Sequence, residues 1–159
     1  MTPSVGDILS LTIVSGGQTG ADRAALDWAI VHRLKHGGWC PAGRLAEDGS
    51  IPARYHLRET QSPAYPERTL LNVEQSDATL IVSPDPPAGG TLLTVQHAQE
   101  VGKPVLVVTR ENEEESPDLL RAFIRQHGVN ILNVAGPRAS GCPEVKAMVG
   151  RLFDRAFEN

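Results

Sequence analysis

The chain has 159 residues with 15 basic and 19 acidic side chains, a net charge of −4. That length suits one domain able to bury about two thirds of its unfolded surface without a disulfide or metal staple. Mild acidity and few aromatics (two Trp, two Tyr, three Phe) exclude the basic, aromatic-lined groove of a nucleic-acid binder. No run approaches 18 apolar residues, so no membrane span is expected. Met1–Asp7 lacks a basic stretch followed by an apolar one, so a cytoplasmic protein is expected. Cys40 and Cys142 fit no disulfide framework or zinc ribbon. The unusual feature is 15 Gly and 12 Pro, about 17% of the chain where average usage is about 12%.

Taken in order, the first apolar run is Leu9–Ser15. After Gly20, residues Ala21, Ala24, Ala25, Trp28 and Ala29 repeat at helical spacing. From Gly37 to Tyr65 periodicity fades and breakers accumulate, with a short strand expected near Gly38–Cys40. Such a long irregular segment within a compact domain often serves as a lid or binding loop, although a solvated loop also accounts for it. Helices are expected at Pro66–Gln75 and Thr91–Val101. Ala78–Ser83, Val105–Thr109 and Asn130–Ala135 read as strands, near-continuous and β-branched as parallel strands buried on both faces are. Ser116-Pro117 reads as a cap and first-turn proline of a helix ending at Gly128. In the last helix Val145, Met148, Val149, Leu152, Phe153 and Ala156 share a face, with Pro143 read as its first-turn proline. Strands alternating with helices predict an α/β fold, one three-layer domain over residues 1–159 with a mostly parallel sheet.

Three strands run into glycine-bearing loops that precede helices: Ser15–Asp22, Ser83–Thr91 and Ala135–Cys142. In a parallel sheet these loops share the edge where open α/β sheets bind ligands. Helix N-termini there favour an anion, and glycine allows close backbone approach. The expected binding residues are Gly16, Gly17, Gln18, Thr19, Gly20 and Asp22 in the first loop, and Gly89, Gly90 and Thr91 in the second. The third loop supplies Gly136, Pro137, Arg138 and Ser140, with Arg138 a charged fork for phosphate. Arg44 and Arg54 of the long segment are expected to cover the crevice. No Gly-Lys-Ser/Thr follows Gly16, which excludes a P-loop, and Ser15 replaces the first glycine of a dinucleotide fingerprint.

The stretch Ser15-Gly16-Gly17-Gln18-Thr19-Gly20-Ala21-Asp22-Arg23-Ala24-Ala25-Leu26-Asp27 resembles the opening of the family named putative molybdenum carrier proteins. Gly38–Arg44, Ala46–Gly49, Ile51–Tyr55, Leu57–Thr60, Arg68-Thr69, Asn72-Val73, Ser76–Leu80, Gly89–Thr91 and Asn133–Ser140 continue the resemblance, which runs from about Ile13 to Phe157. It implies a Rossmann-like fold related to the lysine-decarboxylase-like nucleotide hydrolases. It also implies a small phosphorylated, nucleotide-like ligand: a nucleotide, or the molybdenum cofactor (molybdopterin), whose pterin carries a phosphate. Those hydrolases carry P-G-G-x-G-T-x-x-E. With Gly90-Thr91 as the G-T, Thr94 stands at the Glu position, which argues against their phosphoribohydrolase chemistry.

Three functions follow. The first is a non-catalytic binding protein, expected to form a homo-oligomer (dimer or tetramer). The second is an enzyme cleaving a nucleotide or related phosphoester, with Asp22, Glu47 or Asp48 as base. The third is a nucleotide-sensing module. No metal ligand set is expected: His32 and His36 are spaced as zinc ligands can be, but the dipole at a helix C-terminus explains them. Cys142, read as a helix N-cap, would have a lowered pKa there or act as a packed small residue.

Overall fold

The computed structural model describes residues 10–158. Met1–Asp7 and the Leu9 end of the first expected strand lie outside them. Five strands form an all-parallel central sheet: β1 (Thr12–Val14), β2 (Lys35–Gly37), β7 (Ala78–Val82), β8 (Val105–Val108) and β9 (Ile131–Ala135), in the order β2-β1-β9-β7-β8. The registers place Ile13 beside both His36 and Leu132, and Leu80 beside both Leu106 and Val134. β7 is buried at every position, as expected of a strand covered on both faces.

The helices are α1 (Ala21–Val31), α2 (Tyr65–Glu74), α3 (Gly89–Glu100), α4 (Ser116–His127) and α5 (Val145–Phe157). α5 packs on α1 and α4 over one face of the sheet, and α2 packs on α3 over the other. The main core joins Ile13, Leu80, Val82, Leu132 and Val134 to Trp28, Leu120, Met148, Leu152 and Phe153. This is the expected Rossmann-like three-layer α/β architecture.

The place of one strand in this order has a consequence for the site. β9, last in the chain, lies in the middle of the sheet between β1 and β7. If the chain is read from β7 through β9 and then from β1 to β2, the order becomes 2-1-3-4-5, the flavodoxin-like doubly wound arrangement. Its switch point, where neighbouring connections leave in opposite directions and open a crevice, falls between β7 and β9.

Several local expectations are corrected. α4 is capped at Glu115, and Ser116 is its first residue, donating its hydroxyl to the Glu113 carbonyl. α5 is capped at Glu144, so Pro143 and Cys142 precede the helix. The Cys142 thiol is buried and pushed up by desolvation and by the Glu144 carboxylate, not lowered. β2 was not expected, because Lys35-His36-Gly37 is an edge strand with no apolar signal.

The segment 37–65 is less irregular than its composition suggests. It carries β3 (Trp39–Cys40), β4 (Leu45–Ala46), β5 (Gly49–Ser50) and β6 (Arg58–Glu59), with β3 parallel to β6 and β4 antiparallel to β5. Cys40, Ile51 and Tyr55 pack with Leu26 of α1 as a second small core. The Tyr55 hydroxyl donates to Asp27 at 2.6 Å. Burial and that carboxylate raise its pKa to about 12.

Candidate functional site

A cavity of about 560 Å³ opens at the switch point, at the C-terminal ends of β1, β7 and β9. Of the expected residues, Gly16, Gln18, Asp22, Gly89, Gly90, Thr91, Gly136, Pro137 and Arg138 line it. Gly17, Thr19, Gly20, Ser140, Arg44 and Arg54 do not. Tyr65, Arg68, Thr69 and Asn72 of α2 complete its wall.

Why six residues fall away is physical. A Cβ on Gly20 would collide with the Pro137–Ala139 backbone, at 2.8 Å from the Ala139 nitrogen. That glycine, at φ +83°, exists so that the first and third loops can touch. Gly17 lies against Leu57 and Ile51 of the long segment. Thr19 and Ser140 are taken by a carboxylate: Glu47 accepts from the Thr19 hydroxyl, from the Ser140 hydroxyl at 2.5 Å and from the Ser140 N–H at 3.1 Å. These hydrogen bonds hold the Glu47 carboxyl below the usual carboxylate value. Next to it, Asp48 makes a two-pronged pair with Arg23 at 2.5 and 2.8 Å.

Arg44 is a staple. At φ 54°, it donates to the carbonyls of Pro52 at 2.8 Å, Tyr55 at 2.9 Å and Ile51 at 3.1 Å. Arg54 lies 4.5 Å over the Tyr55 ring and donates to its hydroxyl. Both arginines stabilise the 37–65 lobe.

What remains open is one helix N-terminus in the cavity. The N-terminus of α3 begins at Gly89 and has no side-chain cap. Nothing lies within 4 Å of a Cβ built on Gly89 or Gly90. Uncapped N–H groups at the positive end of a twelve-residue helix, in a cavity, suit a phosphate or carboxylate. Thr94, where the hydrolase motif has Glu, donates its hydroxyl to the Gly90 carbonyl at 3.0 Å.

The opposite wall carries charge. Asp22 is 6% exposed, accepts from the Gln18 N–H at 3.2 Å and pairs with Arg68 at 3.4 Å. Burial outweighs that arginine and raises its pKa. The Arg68 guanidinium lies on Gly16, where any Cβ would collide with it. It also sits 5.2 Å from the Tyr65 ring, and Arg138 reaches the same ring at 5.6 Å. One aromatic ring flanked by two guanidiniums therefore marks the cavity wall. Arg68 carried no signal in the sequence beyond its place in the resemblance, because one arginine on an amphipathic helix looks like any solvated residue. In the sequence Tyr65 stands out only as the end of the long segment.

Gln18 is the singular residue. Its Oε1 accepts from the N–H groups of Glu47 at 2.9 Å and Thr19 at 3.0 Å. Two N–H donors require an oxygen at that position, which fixes the amide orientation. Its Nε2 then has no hydrogen-bond partner, and it is the one buried side-chain nitrogen or oxygen among the described residues in that condition.

His32 and His36 do not meet as a metal pair. His32 stacks on Trp28 and pairs with Glu158 at 2.7 Å, whereas His36 stacks on His56. Among the described residues, His32, Asp154 and Glu158 bring potential ligand atoms within 4.8 Å of one another, all of them already hydrogen-bonded within the α1–α5 tie. No helix among the described residues is long and apolar enough to cross a membrane.

A doubly wound α/β domain with a cavity and an uncapped helix N-terminus at its switch point is thus the class that fold and cavity define. Over residues 13–157 the chain matches the circularly permutated YpsA SLOG family. It belongs to that family, and the strand order that becomes 2-1-3-4-5 on rotation agrees with the permutation. A solved structure from Syntrophus aciditrophicus, described as a putative molybdenum carrier protein, is similar at 43% identity and a TM-score of 0.90. The match covers 93% of this chain and 94% of that one. No protein with a curated description matches.

Proposed function

We propose that the protein binds a phosphorylated, nucleotide-like small molecule in the β7–β9 crevice and holds it without transforming it. The observation that carries this reading is the uncapped N-terminus of α3, open at Gly89 and Gly90 within a cavity also walled by Arg68 and Arg138. The S. aciditrophicus relative is described as a putative molybdenum carrier, and with the sequence resemblance this extends our reading to one cargo, molybdenum held in its pterin cofactor. The cofactor's phosphate suits that helix N-terminus, and its planar pterin suits Tyr65 between two guanidiniums. The cavity volume, about 560 Å³, lies in the ordinary range for small-molecule sites.

Asp22 supports a second reading. A buried carboxyl with a raised pKa in a cavity is a candidate acid or base for phosphoester or glycosidic cleavage. Thr94, tied to its own helix, supplies no carboxylate to that chemistry.

Native mass spectrometry of the freshly purified protein, followed by calorimetry with GMP and AMP, tests the proposal. A co-purifying phosphorylated pterin or nucleotide is expected. Arg138→Ala is expected to weaken binding about tenfold, the value of one lost charge-assisted hydrogen bond. Turnover of the nucleotides, followed by chromatography, would replace the carrier reading with the enzymatic one.

A further inference from the structure

We infer that Gln18 is the residue that reads the ligand, and that it ties occupancy of the cavity to the 41–51 part of the long segment. The inference rests on the binding reading above and goes beyond it, because it assigns a donor, a ligand group and a route of coupling. Gln18 is 6% exposed and lines the cavity. The two ends of its amide stand in different states. Oε1 holds the backbone of Glu47, and Nε2 is a buried donor without a partner. Leaving such a donor unmet is costly in an apolar surround, and native structures rarely do so without a functional reason. The amide cannot flip to escape, because Oε1 is committed to two N–H groups.

The ligand group that Gln18 takes is therefore an acceptor oxygen, either a ring oxo group or a phosphoryl oxygen. A donor group such as an exocyclic amine would meet a second donor and be rejected.

The coupling follows from the same amide. When Nε2 donates to a ligand, the amide polarises and Oε1 becomes a better acceptor for the Glu47 N–H. Glu47 in turn bridges Thr19 and Ser140, so the turn between β4 and β5 is clamped across the first and third loops. Ligand in the cavity thus tightens a segment that does not line it.

Gln18→Glu tests this with little damage to the fold. The carboxylate keeps an oxygen for Thr19 and Glu47, loses the Nε2 donor and adds a negative charge. Gln18→Met, close in length and without charge, checks against an effect of the added carboxylate. Calorimetry with GMP, AMP and ribose 5-phosphate is run on all three proteins, alongside hydrogen exchange over residues 41–51 with and without each compound. The wild type is expected to bind and to show slower exchange over 41–51 when bound. Both variants are expected to lose at least about tenfold in affinity and to lose the ligand-dependent protection. Loss confined to GMP assigns the ring oxo group, whereas equal loss for all three compounds assigns the phosphoryl oxygen. Wild-type affinity and protection in either variant overturn the role of Gln18 and leave the binding reading intact. Absence of binding by the wild type overturns both.

Discussion

At the C-terminal edge of the sheet, the β7–α3 loop presents Gly89 and Gly90 with open space where a Cβ would stand. In the adjoining loops Gly20 and Gly136 abut backbone, the first against Pro137–Ala139 and the second against the Val82 carbonyl and Ala21. Similar-looking glycine loops on one edge thus do opposite things. Two of them use the missing Cβ to pack against each other and the sheet. The β7–α3 loop instead keeps the space beside both of its glycines free.

The largest effect expected from this contrast is at Gly136. Gly136→Ala drives a Cβ into backbone that cannot move aside, and a stability loss of about 2–3 kcal/mol or more is expected in urea unfolding. A loss under about 0.5 kcal/mol would show that the third loop has room, and the contrast would fail.

Next comes the carboxylate that occupies the closed loops. The Glu47 pKa is lowered in the fold, so its stabilising contribution is present above the ordinary value of 4.5 and is lost as pH falls through the folded value. Protease cleavage within 41–51 is therefore expected to accelerate below about pH 4.5. In Glu47→Gln this acceleration is expected to be largely absent, with faster cleavage already at neutral pH. A variant with wild-type cleavage at both pH values would remove Glu47 as the clamp.

Smallest is Gly90→Ala, in the open loop. Stability is expected to change by about 0.5 kcal/mol or less, with a gain favoured because alanine suits a helix better. Calorimetry with GMP then sharpens the contrast, because a methyl at that helix N-terminus weakens an anion without touching the fold.

Much of the fold was legible. Leu80-Ile81-Val82 and Val105-Leu106-Val107-Val108 can hardly be anything but buried strands, and the small face of α1 matches the helix found. That ligand loops share one edge follows from parallel strands alone. The purpose of each glycine was not legible, because a glycine needed by a ligand and one needed by a neighbouring loop have the same sequence. Arg44 shows the same limit: an arginine in a loop reads as a cover for an anion, and here it holds three carbonyls of its own segment. Arg68 was hidden for the converse reason, because its role depends on α2 crossing Gly16, a long-range fact.

The place of β9 sets an order of events for the nascent chain. Its two neighbours, β1 and β7, are separated from it by about 120 and 50 residues, and they do not pair with each other. Until residues 131–135 emerge, the β1–β2 pair and the β7–β8 pair have no shared strand, and each exposes an unpaired edge. The third loop follows β9 directly, so the crevice between β7 and β9 is among the last features to form. Binding competence therefore arrives with the closing of the sheet, and an early-released fragment would expose sticky strand edges without any capacity to hold cargo.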